Sequence, residues 1–309
     1  MSSTINLSGG ALVNGVFPIF PTTGTIFHVQ STNANAKDDP SHGTRPDNPF
    51  ATLDYAIGRC TANKGDMIFV GPGHAETVAT AGALAFDVAG ITVIGLGNGA
   101  NRPTVSISAT AGTVTISAAS ITIRNLLFVG TIDAIVTPIV ISGADCRLLG
   151  CETRDASATQ AVDFITTTAA ADRLFISNWV HRGDAAAGAD TAISIVGGDG
   201  LVIEDFNIYG NFAVAAIENV TTACTNATIG GGVRPNFIWT KNAADVAVTM
   251  VAASTVNIGP NINAMLTDNA ANITEAFVSA GGRFFQPINI VNLAGESSMQ
   301  TNITASTDA

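Results

Sequence analysis

The sequence predicts an all-β solenoid, a right-handed single-stranded parallel β-helix closed at its start by one short helix, and three observations predict it. An aliphatic-x-aliphatic-x-turn pattern recurs through most of the chain. With Val93, Ile123, Leu148, Ile176, Ile203, Ile229 and Ile258 as anchors, the successive spacings are 30, 25, 28, 27, 26 and 29 residues. Each run alternates with period two, as strands do, and ends at Gly95, Asn125, Gly150, Asn178, Asp205, Gly231 or Pro260, residues that bend the chain. The composition, 47% hydrophobic, 12% charged and 31 Gly in 309 residues, suits packed strands and tight corners better than helices. A repeat of this length is one coil that cannot bury its apolar face alone, so coils must stack. Right-handedness is the usual hand of parallel crossovers.

Along the chain, residues 1–25 form an N-terminal arm in which Gly and Pro interrupt the apolar residues and exclude a long helix. Val13, Val16, Phe17, Ile19 and Phe20 make it too apolar for a flexible tag, so it is expected to dock, on its own β-helix or on a neighbouring subunit. Residues 26–285 form the β-helix. Within them, residues 49–61 are expected to be helical, with Asn48 as N-cap, Pro49 at the first position, and Phe50, Leu53, Ile57 and Cys60 on one apolar face. Such a helix would cover the first coil and block end-to-end association. Further apolar runs follow the anchors, such as Val105 with Ile107, Ile139 with Ile141, Ile193 with Ile195 and Val248 with Met250. Residues 286–309 form a C-terminal segment that becomes polar from Ser297.

Charge and composition exclude several functions. A net charge of −11 with only Lys37, Lys64 and Lys241 as lysines repels phosphate backbones, so no nucleic acid is expected as partner. No stretch of apolar residues is long enough to span a bilayer, and the N-terminus lacks the basic region of a signal peptide, so neither membrane insertion nor Sec export is expected. Cys60, Cys146, Cys151 and Cys224 lack zinc spacing, and no acidic cluster demands calcium, so no metal or cofactor is expected. The sequons at Asn6, Asn219, Asn226, Asn272 and Asn302 read as chance in an Asn- and Thr-rich chain. Gly95, Gly97 and Gly99, like Gly230 to Gly232, are solenoid corners, because no amphipathic helix or Lys-Ser/Thr follows them.

Catalytic candidates are sparse. Arg154 and Asp155, then His181, Arg182 and Asp184, then Glu204 and Asp205 follow successive anchor strands, and stacking of adjacent coils would bring Asp155 towards Asp184. Two such carboxylates with Arg182 beside them are the set a glycan-cleaving site would use. Against it stands the shortage of aromatic platforms. The chain has two Trp, Trp179 and Trp239, and two Tyr, Tyr55 and Tyr209, while its Phe residues suit the core. The reading of the residues is therefore non-enzymatic, and the tripeptide Arg182-Gly-Asp184 reads as a turn.

Three strings carry a resemblance: Phe27 to Asn33, then Gly43 to Ile57, then Gly65 to Thr77, the last reading GDMIFVGPGHAET. They resemble the first coils of pectin-lyase-like right-handed β-helix proteins, a superfamily of polysaccharide lyases, hydrolases, tailspikes and virion surface proteins. The Ala-rich repeats, with Ala216 to Cys224 as an example, are similar to structural proteins of tailed bacteriophages. That resemblance implies a capsid decoration or cement protein, made in the host cytoplasm and located on the virion. It would be a homotrimer whose arm residues Val13, Val16, Phe17, Ile19 and Phe20 bind the major capsid protein. The alternative it implies is a tailspike or tail-fibre module that binds or cleaves a bacterial surface polysaccharide, with Asp155, Asp184 and Arg182 as the catalytic set.

Overall fold

A computed structural model gives the fold. It describes residues 22–156, 159–183, 190–219, 221–240, 246–251, 253–259, 261–266, 277–279, 282–284 and 288–292. Short strands stack into three sheets of 10, 8 and 9 members. Neighbours along each sheet come from successive coils and run parallel. Each coil visits the first sheet, then the third, then the second, as in Thr92–Gly95, Thr104–Ile107 and Thr113–Ile116. At about 4.8 Å per strand, the ten-stranded sheet extends roughly 43 Å along the rod axis.

The anchors form one column. Val93 pairs with Ile123, Ile123 with Leu148, and the register continues through Ile176, Ile203 and Ile229 to Ile258. All are buried, as are the residues two positions earlier, Ile91, Ile121, Cys146, Leu174, Leu201, Ala227 and Val256. Unequal spacing between anchors is absorbed between the strands, so the register holds along this column.

Two rows of left-handed residues flank this sheet. Asn125, Gly150, Asn178, Asp205 and Gly231 have φ between 52° and 86° and turn the chain from the first sheet into the third. Asn, Asp and Gly tolerate that region at least cost. The turn drives the following side chain, Leu126, Cys151, Trp179 or Phe206, into the core. The second row, Gly90, Ser120, Asp145, Arg173, Gly200 and Asn226, leads from the second sheet into the first. Five of its amides donate to a backbone carbonyl of the next coil, for example Arg173 N to Asp199 O at 2.7 Å, and the sixth, Asn226 N, donates to Thr255 Oγ1. Arg173 also clamps the Asp145 carboxylate through Nε and Nη2, at 2.6 and 2.9 Å.

The later apolar runs divide between the other two sheets. Val105 and Ile107 belong to the third sheet, whereas Ile139, Ile141, Ile193 and Val248 belong to the second. The β-helix also continues past residue 285, because Ile288–Asn292 pairs with Ile262–Leu266.

The capping helix is shorter than predicted. It spans Leu53–Gly58, and its N-cap is Thr52, whose Oγ1 accepts from Tyr55 N. Asn48 and Pro49 instead precede an extended Phe50, which bridges to Val29 and is buried. The helix buries Leu53, Ala56 and Ile57 against the first coils. Side chains from that coil fix its start. Ser31 N donates to His74 Nδ1 at 3.0 Å, which leaves the His74 proton on Nε2, facing Glu76 Oε2 at 3.2 Å. The same Glu76 oxygen accepts the Leu53 amide at 2.9 Å. Ser31 Oγ is held by the Ala75 backbone, so these three residues form a structural clasp. Among the described residues, no helix is long and apolar enough to cross a membrane.

Ile203 lies mid-column, fully buried between Ile176 and Ile229. Ile203→Ala is expected to lower stability by about 2–5 kcal/mol, read as a reduced urea midpoint. An unchanged midpoint would refute the continuous-column packing.

Candidate functional site

The third sheet carries the chain's most distinctive outer surface. Its side chains alternate, so two outward rows run along the rod axis. One row passes from Glu152 to Val180, Asn207 and Phe237, and the other from Arg154 to Arg182, Tyr209 and Trp239. Arg154, Arg182, Tyr209 and Trp239 are thus in-register neighbours on four successive coils.

The basic half is held by one carboxylate. Glu152 Oε1 accepts from Arg154 Nε at 3.1 Å and Nη2 at 2.5 Å, and lies 3.4 Å from Arg182 Nε. Its Oε2 accepts from Arg102 Nη1 at 3.0 Å, and Arg102 also donates to Gly150 O. Arg102 and Glu152 are nearly covered, whereas the Arg154 and Arg182 side chains remain 43% and 63% exposed. Glu152, which the sequence did not single out, therefore organises three arginines.

In the aromatic half, the Tyr209 and Trp239 rings meet edge to face with centroids 5.0 Å apart. Trp239 is 39% exposed and Phe237, two residues earlier on the same strand, 46%. The expectation that the phenylalanines are core residues fails at Phe237, because an Asn236–Thr240 strand that buries Asn236, Ile238 and Thr240 must turn Phe237 and Trp239 outward. Asn236 fixes that phase: its Oδ1 accepts from Phe206 N at 3.0 Å and its Nδ2 donates to Gly231 O at 2.9 Å.

Of the sequence-predicted catalytic set, Arg182 lies on this surface, whereas Asp155 does not. Arg154, Asp155 and Arg182 lie in strands of the third sheet. Asp155 points inward, is 7% exposed, and accepts the Ala161 amide on Oδ1 at 3.1 Å. Arg154 is opposite Arg182, so the residue level with Asp155 is Gly183. Asp184 lies outside the described residues, as do Val13, Val16, Phe17, Ile19 and Phe20. Glu204 ends a strand of the first sheet and Asp205 is the corner after it, its Oδ1 accepting the Arg234 amide at 2.7 Å. Asn219 is fully buried with its amide bonded to Ile195 O and Thr222 O, which removes it as a glycosylation site. Among the described residues, no group of three or more His, Cys, Asp or Glu could hold a metal ion.

Beneath the arginines is a buried polar pair. Trp179 Nε1 can only donate, so Thr153 Oγ1 accepts from it at 2.9 Å and passes its own proton towards His181 Nδ1, also at 2.9 Å. The His181 ring is then neutral, with its proton on Nε2 among Phe164 and Phe212. Burial pushes its pKa down to about 3. On the second sheet, Ser194 Oγ donates to Glu218 Oε1 at 2.6 Å, both residues being buried. Burial, reinforced by the charges of Glu218 and Asp190, pushes Asp163 up to about 7.

No protein-family model matches the chain, and no curated protein sequence matches it. Among solved structures, the pectin methylesterase from Aspergillus niger in deglycosylated form aligns at 16% identity over 89% of this chain and 87% of its own, with a TM-score of 0.38.

Two pH effects follow. Unfolded His181 takes up its proton near pH 6.5, whereas the folded ring does so only near 3. Its contribution to stability is therefore complete above about pH 6.5 and falls progressively towards pH 3. Relative to His181→Phe, the natural chain is expected to lose urea resistance by up to a few kcal/mol across that range; a constant difference would contradict the buried neutral ring. Asp163 has the opposite sign: its raised pKa means that stability falls as pH rises from about 4 to about 7. Asp163→Asn is thus expected to melt higher than the natural chain at pH 8 and to lose that advantage at pH 4.

Proposed function

We propose that this protein is a non-catalytic carbohydrate-binding β-helix that recognises a bacterial surface polysaccharide along the outer face of its third sheet. The observation that carries this reading is the Tyr209–Trp239 pair, two large amphipathic rings packed together, Trp239 exposed and Tyr209 half-buried. A sugar offers an apolar C–H face and a polar rim, and an aromatic ring beside hydrogen-bonding side chains complements both. Asn207 lies next to Phe237 in the adjoining row and supplies such a group. Because the rows are in register, a ligand lying along the rod meets a new pair of outward side chains on each coil. Rigid strands hold them in place, so little order has to be created on binding.

A second reading is favoured by other exposed apolar side chains. Besides Phe237 and Trp239, Val233 is 96% exposed, Val136 62% and Val214 39%. Exposed apolar side chains of this size also suit a protein contact. In this reading the chain is a bacteriophage capsid decoration protein, a homotrimer on the virion bound to the major capsid protein, with Val13, Val16, Phe17, Ile19 and Phe20 extending the contact.

Titrating the full chain with purified capsular polysaccharides and lipopolysaccharides separates the two readings. Glycan recognition predicts saturable binding without new reducing ends, weakened about tenfold by Trp239→Ala, equivalent to about 1.4 kcal/mol. If no polysaccharide binds and light scattering instead gives a trimer that Val233→Asp dissociates, the decoration reading replaces it.

A further inference from the structure

The arginines extend the carbohydrate reading to the chemistry of its ligand, and the inference rests on that reading. On an outer sheet face, two guanidinium groups in register on adjacent strands repel each other. Arg154 and Arg182 occupy such a pair, with Arg102 close by. One carboxylate, Glu152, faces all three groups, so the cluster keeps an excess of positive charge. The Glu152–Arg102 pair is nearly covered and satisfies its own structural role, which does not require two further arginines at 43% and 63% exposure. This concentration is the more telling in a chain of net charge −11 with 13 Lys and Arg against 24 Asp and Glu.

We infer that Arg154 and Arg182 form an anion-reading subsite, and that the polysaccharide bound on the Tyr209–Trp239 surface carries negatively charged substituents. Glu152 engages Arg154 through Nε and Nη2 and meets Arg182 only at Nε, at 3.4 Å. Both side chains stay partly open, at 43% and 63% exposure, so N–H groups beyond those held by Glu152 are available to carboxylate or sulfate oxygens, which a guanidinium fork matches in pairs. Arg182 adjoins Tyr209 in the same row, one coil away. A single ligand running along the rod can therefore place a charged substituent on the arginines and an uncharged ring face on the aromatics. Carboxylate and sulfate share this chemistry, and the polymer bearing each tells them apart.

The test uses the full chain with dextran, carboxymethyl-dextran and dextran sulfate of matched length, followed by calorimetry. At least one charged polymer is expected to bind 10-fold or more tightly than dextran, and preference between the two charged forms identifies the substituent. Arg154→Gln and Arg182→Gln are each expected to weaken that binding about 5- to 10-fold while leaving the melting temperature and the circular dichroism spectrum unchanged. Trp239→Ala is expected to weaken binding of charged and neutral polymer alike. Equal affinity for all three polymers, with silent arginine variants, overturns the anion subsite but leaves carbohydrate binding intact. Charged-polymer binding that responds to the arginine variants but not to Trp239→Ala supports the anion subsite and rejects the aromatic sugar platform. Failure of both charged polymers to bind overturns the inference.

Discussion

Everything in this molecule depends on in-register parallel stacking. A strand of three to five residues has little stability alone, and a coil of such strands leaves its apolar side uncovered. Placing Ile176 between Leu148 and Ile203, and repeating that placement along the rod, buries each coil on its neighbours. A one-residue slip would turn the entire inward set to solvent. The left-handed corners protect against it, because Asn125, Gly150, Asn178 and Asp205 all turn the chain at the same point of the coil.

This constraint also explains the outer surface. Once the inward phase of a strand is fixed, the residues between must face outward, whatever their character. Asn236, Ile238 and Thr240 are inward, so Phe237 and Trp239 have no alternative. Stacking then converts sequence positions some 27 to 30 residues apart into neighbours: Arg154 meets Arg182, and Tyr209 meets Trp239. A solenoid thereby assembles an extended surface from one or two residues per coil. The interior pays no attention to that surface except where Thr153, Trp179 and His181 link beneath it.

The first sheet was legible in the sequence because its signal is redundant: seven anchors, an apolar residue two positions before each, and a turn residue after most of them. The third sheet was not. Its strands follow the corner at once, and runs such as Glu152 to Asp155 mix charges with buried polar residues, so they read as loops. That misreading hid the alternation that sends Asp155 inward and Arg154 outward. The helix was anticipated but started too early, because Asn48 and Pro49 imitate a helix start while Phe50 is claimed by the bridge to Val29. The few aromatic residues were judged by number, and number says nothing of adjacency. Sequence spacing did not pair the two rings either, since Tyr209 lies four residues beyond Asp205 whereas Trp239 lies eight beyond Gly231, and only the strand register brings them level.

Hydrogen–deuterium exchange of the full chain with and without carboxymethyl-dextran tests the central claim most directly, because it locates the ligand without altering a residue. The account predicts slowed exchange in the strands Glu152–Asp155, Val180–Arg182, Asn207–Gly210 and Asn236–Thr240 and in the corners that join them to the first sheet. Protection confined to the second sheet around Asp163 and Glu218, or no protection anywhere, would contradict it.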